Sequence, residues 1–197
     1  MKIFVRILIS IGLLLLLRGC FGLFYLKVTH LSEEDLKWVT NNKDMSGVMV
    51  SSKGDRAKIY TYSYWIANDK NPIYFSWSGG SNYKEANAGY RFRIHSGLLK
   101  KDGSFRIQKS ANEDVVYANG FLGNLYNDSL KLTDAKSITI GSRVFNDCFI
   151  IDDFNGHNNS TLKKDDPNRV CEFILSKKYG PIYFRLVSGE EYFREFK

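Results

Sequence analysis

The side chains that could do chemistry are few and widely spaced. His30, His95 and His157 stand far apart, and none has the spacing that holds a metal ion or builds a nucleophile–base pair. The chain contains no G-x-S-x-G, no P-loop and no Cys-x-x-Cys. It therefore lacks the sequence marks of an α/β-hydrolase, a nucleotide site, a redox pair or a zinc knuckle. No catalytic, metal-binding or cofactor-binding residue is assigned. The stretch from Asp152 and Asp153 through Asn155, Gly156, Asn158 and Asn159 offers hard oxygens of the kind calcium takes. It lacks the EF-hand spacing and the closing bidentate Glu, and reads as a solvated hairpin loop. Arg91, Arg93 and Arg106 alternate with apolar neighbours. That period points them, with His95 and Gln108, to one outward face of a sheet. Such a cationic patch could meet an anionic glycan, a lipid headgroup or a partner protein. Tyr60, Tyr62 and Tyr64 form an aromatic stripe that serves either as half a core or as a stacking platform for sugar rings.

Three cysteines occur, Cys20, Cys148 and Cys171. Cys148 and Cys171 fall on two predicted strands, 143–151 and 170–176, joined by a polar loop. A long hairpin there would make them neighbours. A disulfide and a pair of buried free thiols both fit.

The positions that could position these groups begin with a leader. Lys2 and Arg6 flank a positive start, and Ile7 to Leu17 is an apolar run broken only by Ser10 and Gly12. Leu17-Arg18-Gly19-Cys20 resembles a bacterial lipobox, which implies lipid attachment at Cys20. The residues after it, Phe21 to Leu26, stay apolar. Read together, Ile7 to Leu26 makes an uncleaved signal anchor. Both readings, anchor and lipoprotein, keep Lys2 and Arg6 in the cytoplasm and export the rest. The expected organisation is a signal segment over 1–27, a helical connector over 28–44 and one β-rich domain over 45–197.

Ser32 with Asp35 three residues on predicts a capped short helix ending near Val39. Strands are expected over 47–51, 57–67, 73–77, 89–95, 104–109, 138–140, 143–151, 170–176, 181–187 and 191–196. A turn is expected at Lys101-Asp102-Gly103, a two-residue type II′ loop at Gly141-Ser142, and a tight turn at Ser188-Gly189-Glu190. The stretch 126–134 is open between loop and helical turn. The fold class is mainly β, an antiparallel sandwich or open barrel preceded by a membrane-anchor helix and one capped helix. The chain's 44% hydrophobic and 25% charged content suits one globular body rather than a disordered or many-span chain.

Phe145-Asn146-Asp147-Cys148, then Lys177-Lys178-Tyr179-Gly180-Pro181-Ile182-Tyr183-Phe184, then Gly189-Glu190 make a recurring order of elements. In this the chain resembles exported lipoproteins and membrane-anchored proteins of Bacteroidota-type bacteria. The resemblance implies a place in the cell envelope and a β fold, and no activity.

The formal net charge is +7, and +4 once Lys2, Arg6 and Arg18 of the leader are set aside. That mild excess is no nucleic-acid signature. The expected function is therefore non-catalytic binding or interaction in the envelope, with the membrane and an envelope glycan or another protein as partners and no cofactor. Two other readings stand beside it. An immunity or inhibitor protein would use the charged loop 152–168 against a secreted toxin. A cell-wall or glycan hydrolase would need two carboxyl groups facing across one cleft.

Overall fold

The computed structural model describes residues 2–21, 27–70, 83–97, 99–121, 125–158 and 162–196. Helix α1 (Lys2–Phe21) comes first, then β1 (Lys27–Val28) and α2 (Glu33–Thr40). β2 (Ser46–Ser51), β3 (Arg56–Ala67), β4 (Tyr83–Lys84), β5 (Ala86–Ser96), β6 (Leu99–Lys109), β7 (Val115–Phe121) and β8 (Leu125–Leu130) follow. The remaining strands are β9 (Lys136–Ile140), β10 (Arg143–Asp152), β11 (His157–Asn158), β12 (Val170–Ser176), β13 (Gly180–Leu186) and β14 (Glu191–Arg194).

Among the described residues one antiparallel sheet dominates, in the order β11-β8-β7-β6-β5-β3-β2-β14-β13-β12-β10-β9. β1 and β4 form a small parallel pair apart from it. The large sheet curls into a half-barrel. Its curvature is visible in the ring contacts. Phe121 of β7 meets Phe173 of β12 with ring centroids 4.7 Å apart, although the two strands are far apart in sheet order. Tyr117 of β7 reaches Phe149 of β10 at 5.4 Å. After β10 the chain turns through Gly156, whose N–H donates to the Asp152 carbonyl, and β11 then pairs with β8 at the opposite edge. A single sheet folded on its own inner face thus replaces the two facing layers of a sandwich.

The alternation expected on β5 and β6 is present. Tyr90, Phe92, Ile94, Phe105 and Ile107 are fully buried on the inner face. The expected turn at Lys101-Asp102-Gly103 is corrected: these residues lie inside β6, and the hairpin closes at Gly97 with Ser96 opposite Leu99. Gly103 is there for space. A Cβ on it would stand 2.1 Å from the Phe92 ring, which lies across it between strands. The 126–134 stretch resolves into β8 followed by a short 3-10 turn at Leu132–Asp134. β7 has no mark in the alternation, because Asn119 and Gly120 near its end do not favour strands. The Gly141-Ser142 loop forms as expected, with Gly141 at φ 60° and Ile140 opposite Arg143. The expected strand 73–77 lies outside the described residues.

The aromatic stripe of β3 is corrected as well. A register irregularity between Thr61 and Ser63 divides it: Tyr60 stands opposite Arg93 on the outer face, and Tyr64 opposite Tyr90 on the other. Tyr62 and Tyr64 are exposed, so the stripe is not half of the core.

α2 closes one end of the half-barrel. Its capping box is made: the Asp35 N–H donates to Ser32 Oγ at 3.1 Å, and the Ser32 N–H donates to Asp35 Oδ2 at 3.0 Å. Trp38, fully buried, stacks on Phe149 at 4.5 Å and Phe105 at 5.6 Å and tilts against Tyr117. The Tyr117 hydroxyl donates to Asp35 Oδ1 at 2.6 Å, tying the helix start to β7. Leu31 and Val39 are buried beside it, and Leu36 packs there partly buried. On α1, by contrast, Val5, Ile7, Leu8, Ile9, Ile11, Leu13 and Leu14 all stand exposed. Among the described residues, no helix is long and apolar enough to cross a membrane.

Candidate functional site

The outer face of β3, β5 and β6 carries a cluster of exposed basic side chains. Register places Lys58 opposite His95 and His95 opposite Lys100, a row of exposed basic side chains across three strands. Two residues along, Tyr60, Arg93 and Asp102 form the next row. Arg91 follows between Ser63 and Ser104, and Arg106 stands opposite Gly89. Arg91, Arg93 and Arg106 therefore share one face, as their alternation predicted. Directly opposed Cβ atoms lie about 5 Å apart and diagonal ones about 7–8 Å, so Arg91 and Arg106 are diagonal neighbours. Both are exposed.

Arg93 differs from the other two. Its guanidinium holds Asp102 in a fork, Nε to Oδ1 at 2.6 Å and Nη2 to Oδ2 at 3.0 Å, and stands 5.1 Å over the Tyr62 ring. The Arg93 hydrogen bond holds the Asp102 carboxyl below the usual carboxylate range, against the opposing effect of its partial burial. Asp102 is the only acidic residue in β3, β5 and β6. Sequence reasoning missed Lys58 and Lys100 as members of the face, and missed Asp102 by reading it as a turn residue. The signal that finds them is the shortage of acid across three strands, which is visible only once their pairing is known.

A second cleft, of 630 Å³, lies where α2 meets the β10–β12 edge, lined among others by Glu34, Lys37, Asp147, Ser176 and Lys177. Lys177 Nζ donates to Glu34 Oε1, and Lys37 Nζ to Glu34 Oε2 at 2.7 Å. Those two bonds, Lys177 first, pull the Glu34 carboxyl down to about 2. It stays ionised at any ordinary pH and is unsuited to general acid work.

A polar cleft of 480 Å³ joins Asp55, Arg56, Asn168 and Glu190. Lys53 bonds Glu190 Oε2 at 3.0 Å and holds its carboxyl below the usual range. Glu34 in the one cleft and Glu190 in the other are both held down, the opposite of the raised carboxyl group that a glycosidase acid needs.

Cys148 and Cys171 are free thiols. β10 and β12 do pair, but Cys148 stands opposite Ser176, five residues along β12 from Cys171. At the rise of a strand that is about 16 Å, beyond the roughly 7 Å that a disulfide spans between Cα atoms. The bridge reading is corrected on that register. Burial pushes the Cys148 thiol up to about 11, so it is a poor nucleophile. Cys20 falls in the last turn of α1, where side chains lie outside the described residues.

The described parts of the 152–168 loop are held by side-chain bonds. Arg169, almost wholly buried, forks both oxygens of Asp153 at 2.6 and 2.7 Å and donates to the Lys164 carbonyl. Lys101 Nζ reaches the Asn168 carbonyl at 2.5 Å. Asp152 Oδ1 accepts from the N–H groups of Phe154 and Asn155. In the turn between β10 and β11, Phe154 is 99% exposed. Among the described residues no three His, Cys, Asp or Glu side chains gather to hold a metal ion.

The chain matches no protein family, no curated protein and no solved structure.

Proposed function

We propose that this chain is a membrane-tethered, extracytoplasmic binding domain that meets an anionic envelope glycan on the outer face of β3, β5 and β6. The observation that carries the reading is the charge of that face. Lys58, Arg91, Lys100 and Arg106 are exposed, and the one acid among the three strands is engaged by Arg93. Tyr60, Tyr62 and Trp65 stand among the cations and offer ring faces to a sugar. Binding is favoured over hydrolysis because each described carboxyl group with a resolved shift moves downward: Glu34, Asp102, Asp153 and Glu190. The tether reading rests on the apolar run Ile7–Leu17 and on the exposed apolar side chains of α1, a surface that water does not favour. Cys20 as a lipid site and an uncleaved anchor remain two forms of the same tether. Mass spectrometry of the mature N-terminus distinguishes them: diacylated Cys20 for the first, an intact leader for the second.

The binding reading is tested with the full chain in lipid nanodiscs, titrated with polygalacturonate and with neutral dextran. Polygalacturonate should bind, and binding should weaken as salt rises. The double variant Arg91→Gln, Arg106→Gln should weaken it at least tenfold. Equal binding of dextran, or an unaffected double variant, overturns the proposal. A second reading, inhibition of a secreted toxin, is favoured by Phe154 alone, an aromatic side chain fully exposed in the turn between β10 and β11. That reading requires Phe154→Ala to abolish capture of the toxin while leaving polygalacturonate binding intact.

A further inference from the structure

A separate cation sits where β14 ends. Alternation puts Tyr192 and Arg194 on the inner side of β14, opposite Ser51 and Met49. Gly47 leaves the room that Arg194 uses, since a Cβ there would lie 3.3 Å from Nη2. The guanidinium passes that point and donates to the carbonyls of Tyr179 and, at 3.1 Å, Ser46. A guanidinium has five N–H donors, so two carbonyls leave it under-used.

Among the described residues no carboxylate pairs with Arg194. The neighbouring Glu195 is forked by Arg56 at 3.1 and 2.6 Å. Burial accordingly pulls the Arg194 guanidinium below its usual range. The Phe196 ring lies 5.9 Å beneath it, and Arg143 stands 5.0 Å over the same ring. Beside this cation opens a groove of 550 Å³, walled by Val48, Ile59, Tyr60, Tyr179 and Phe196. That volume is in the range of small-molecule sites. The walls are largely apolar; Lys58 and the Arg56-bound Glu195 line the groove as well, and Arg194 is a charged fork with no carboxylate on it among the described residues. A buried cation left unpaired is costly, and a planar anion placed against it relieves that cost with two parallel hydrogen bonds.

We propose that this groove binds a small carboxylate with an apolar or aromatic body, the guanidinium of Arg194 taking the carboxylate and Val48, Tyr60 and Phe196 the body. Arg194, Lys58 and Glu195 together line the groove with one net positive charge, which suits a monoanion. The groove borders the glycan-binding face and shares Lys58 and Tyr60 with it, whereas Arg194, Val48 and Phe196 belong to the groove alone.

The test uses the full chain in nanodiscs, titrated with benzoate and with benzamide, its uncharged isostere, by calorimetry and by chemical shift. Benzoate should bind saturably and at least tenfold more tightly than benzamide. Arg194→Gln should reduce benzoate binding at least tenfold. Because Arg194 also holds two carbonyls, a second variant keeps it in place: Val48→Trp fills the groove and should also abolish benzoate binding, with an unchanged circular dichroism spectrum. No saturable benzoate binding to the wild type overturns the proposal. So does benzamide binding as tightly as benzoate, or benzoate binding to a folded Val48→Trp protein as it does to the wild type.

Discussion

The Glu34 carboxylate stands between two ammonium groups, Lys177 and Lys37, one from the β12–β13 turn and one from its own helix. Its folded pKa is about 2 against an ordinary 4.5. A carboxyl group depressed by folding favours the folded state above its ordinary value, and that contribution fades as pH falls from 4.5 toward 2. A carbon-detected titration of Glu34 should therefore show a midpoint near 2 in the wild type. Lys177→Met removes the largest cause and should move the midpoint up toward 4.5. A midpoint that stays near 2 in the variant contradicts the pairing. At this scale the sequence revealed directions but not partners. Alternation alone showed that Arg91, Arg93 and Arg106 point the same way. That Arg93 is neutralised by Asp102 was hidden, because Lys-Asp-Gly is also a good turn and nothing local distinguishes the two readings. Arg169 and Lys177 carry no local mark of burial, and their buried positions depend on Asp153 and Glu34, which are distant in the chain.

Among the elements, α2 is the one whose start is written locally and whose purpose is not. Ser32 and Asp35 announce the cap from sequence alone. Trp38 does not announce that it will stack between rings from β6 and β10, since those strands follow it by more than sixty residues. The helix is short, and isolated helices of its length are not stable in water. Trp38 therefore holds α2 on the body, and removing it leaves a large hole among Phe105, Tyr117 and Phe149. Trp38→Ala should destabilise the fold by about 3–5 kcal/mol, read from the urea midpoint. Trp38→Phe should cost markedly less. Equal losses would mean that ring stacking is not what seats the helix. The turns follow the same division. Gly141-Ser142 was readable because a type II′ loop demands a glycine at its first position. β7 and β8 were not, because their Asn, Gly and Ser residues satisfy pairing that only the finished sheet provides.

For the whole molecule, the curl of one sheet decides what is inside and what is presented. The inner face takes the aromatic rings, and the outer face of β3, β5 and β6 is left to polar and charged side chains. The mainly antiparallel β class was legible from the period-2 runs. Whether they made two layers or one was not, since both arrangements bury the same alternating residues and differ only in which distant strands meet. The net charge of +7 looked like a diffuse property of the chain. In the fold it becomes local: three adjacent strands hold many cations and one acid, while Glu34, Asp153, Glu190 and Glu195 are paired elsewhere. The account's central claim is that this face is where the molecule meets its anionic partner. Backbone amide shifts of the nanodisc-held chain, followed as polygalacturonate is added, test it most directly. The account predicts that the largest changes fall on β3, β5 and β6 around Lys58, Arg91, Lys100 and Arg106, with little change on α2 or β13. Changes centred on the α2 cleft or on the 152–168 loop, or no saturable change at all, would contradict it.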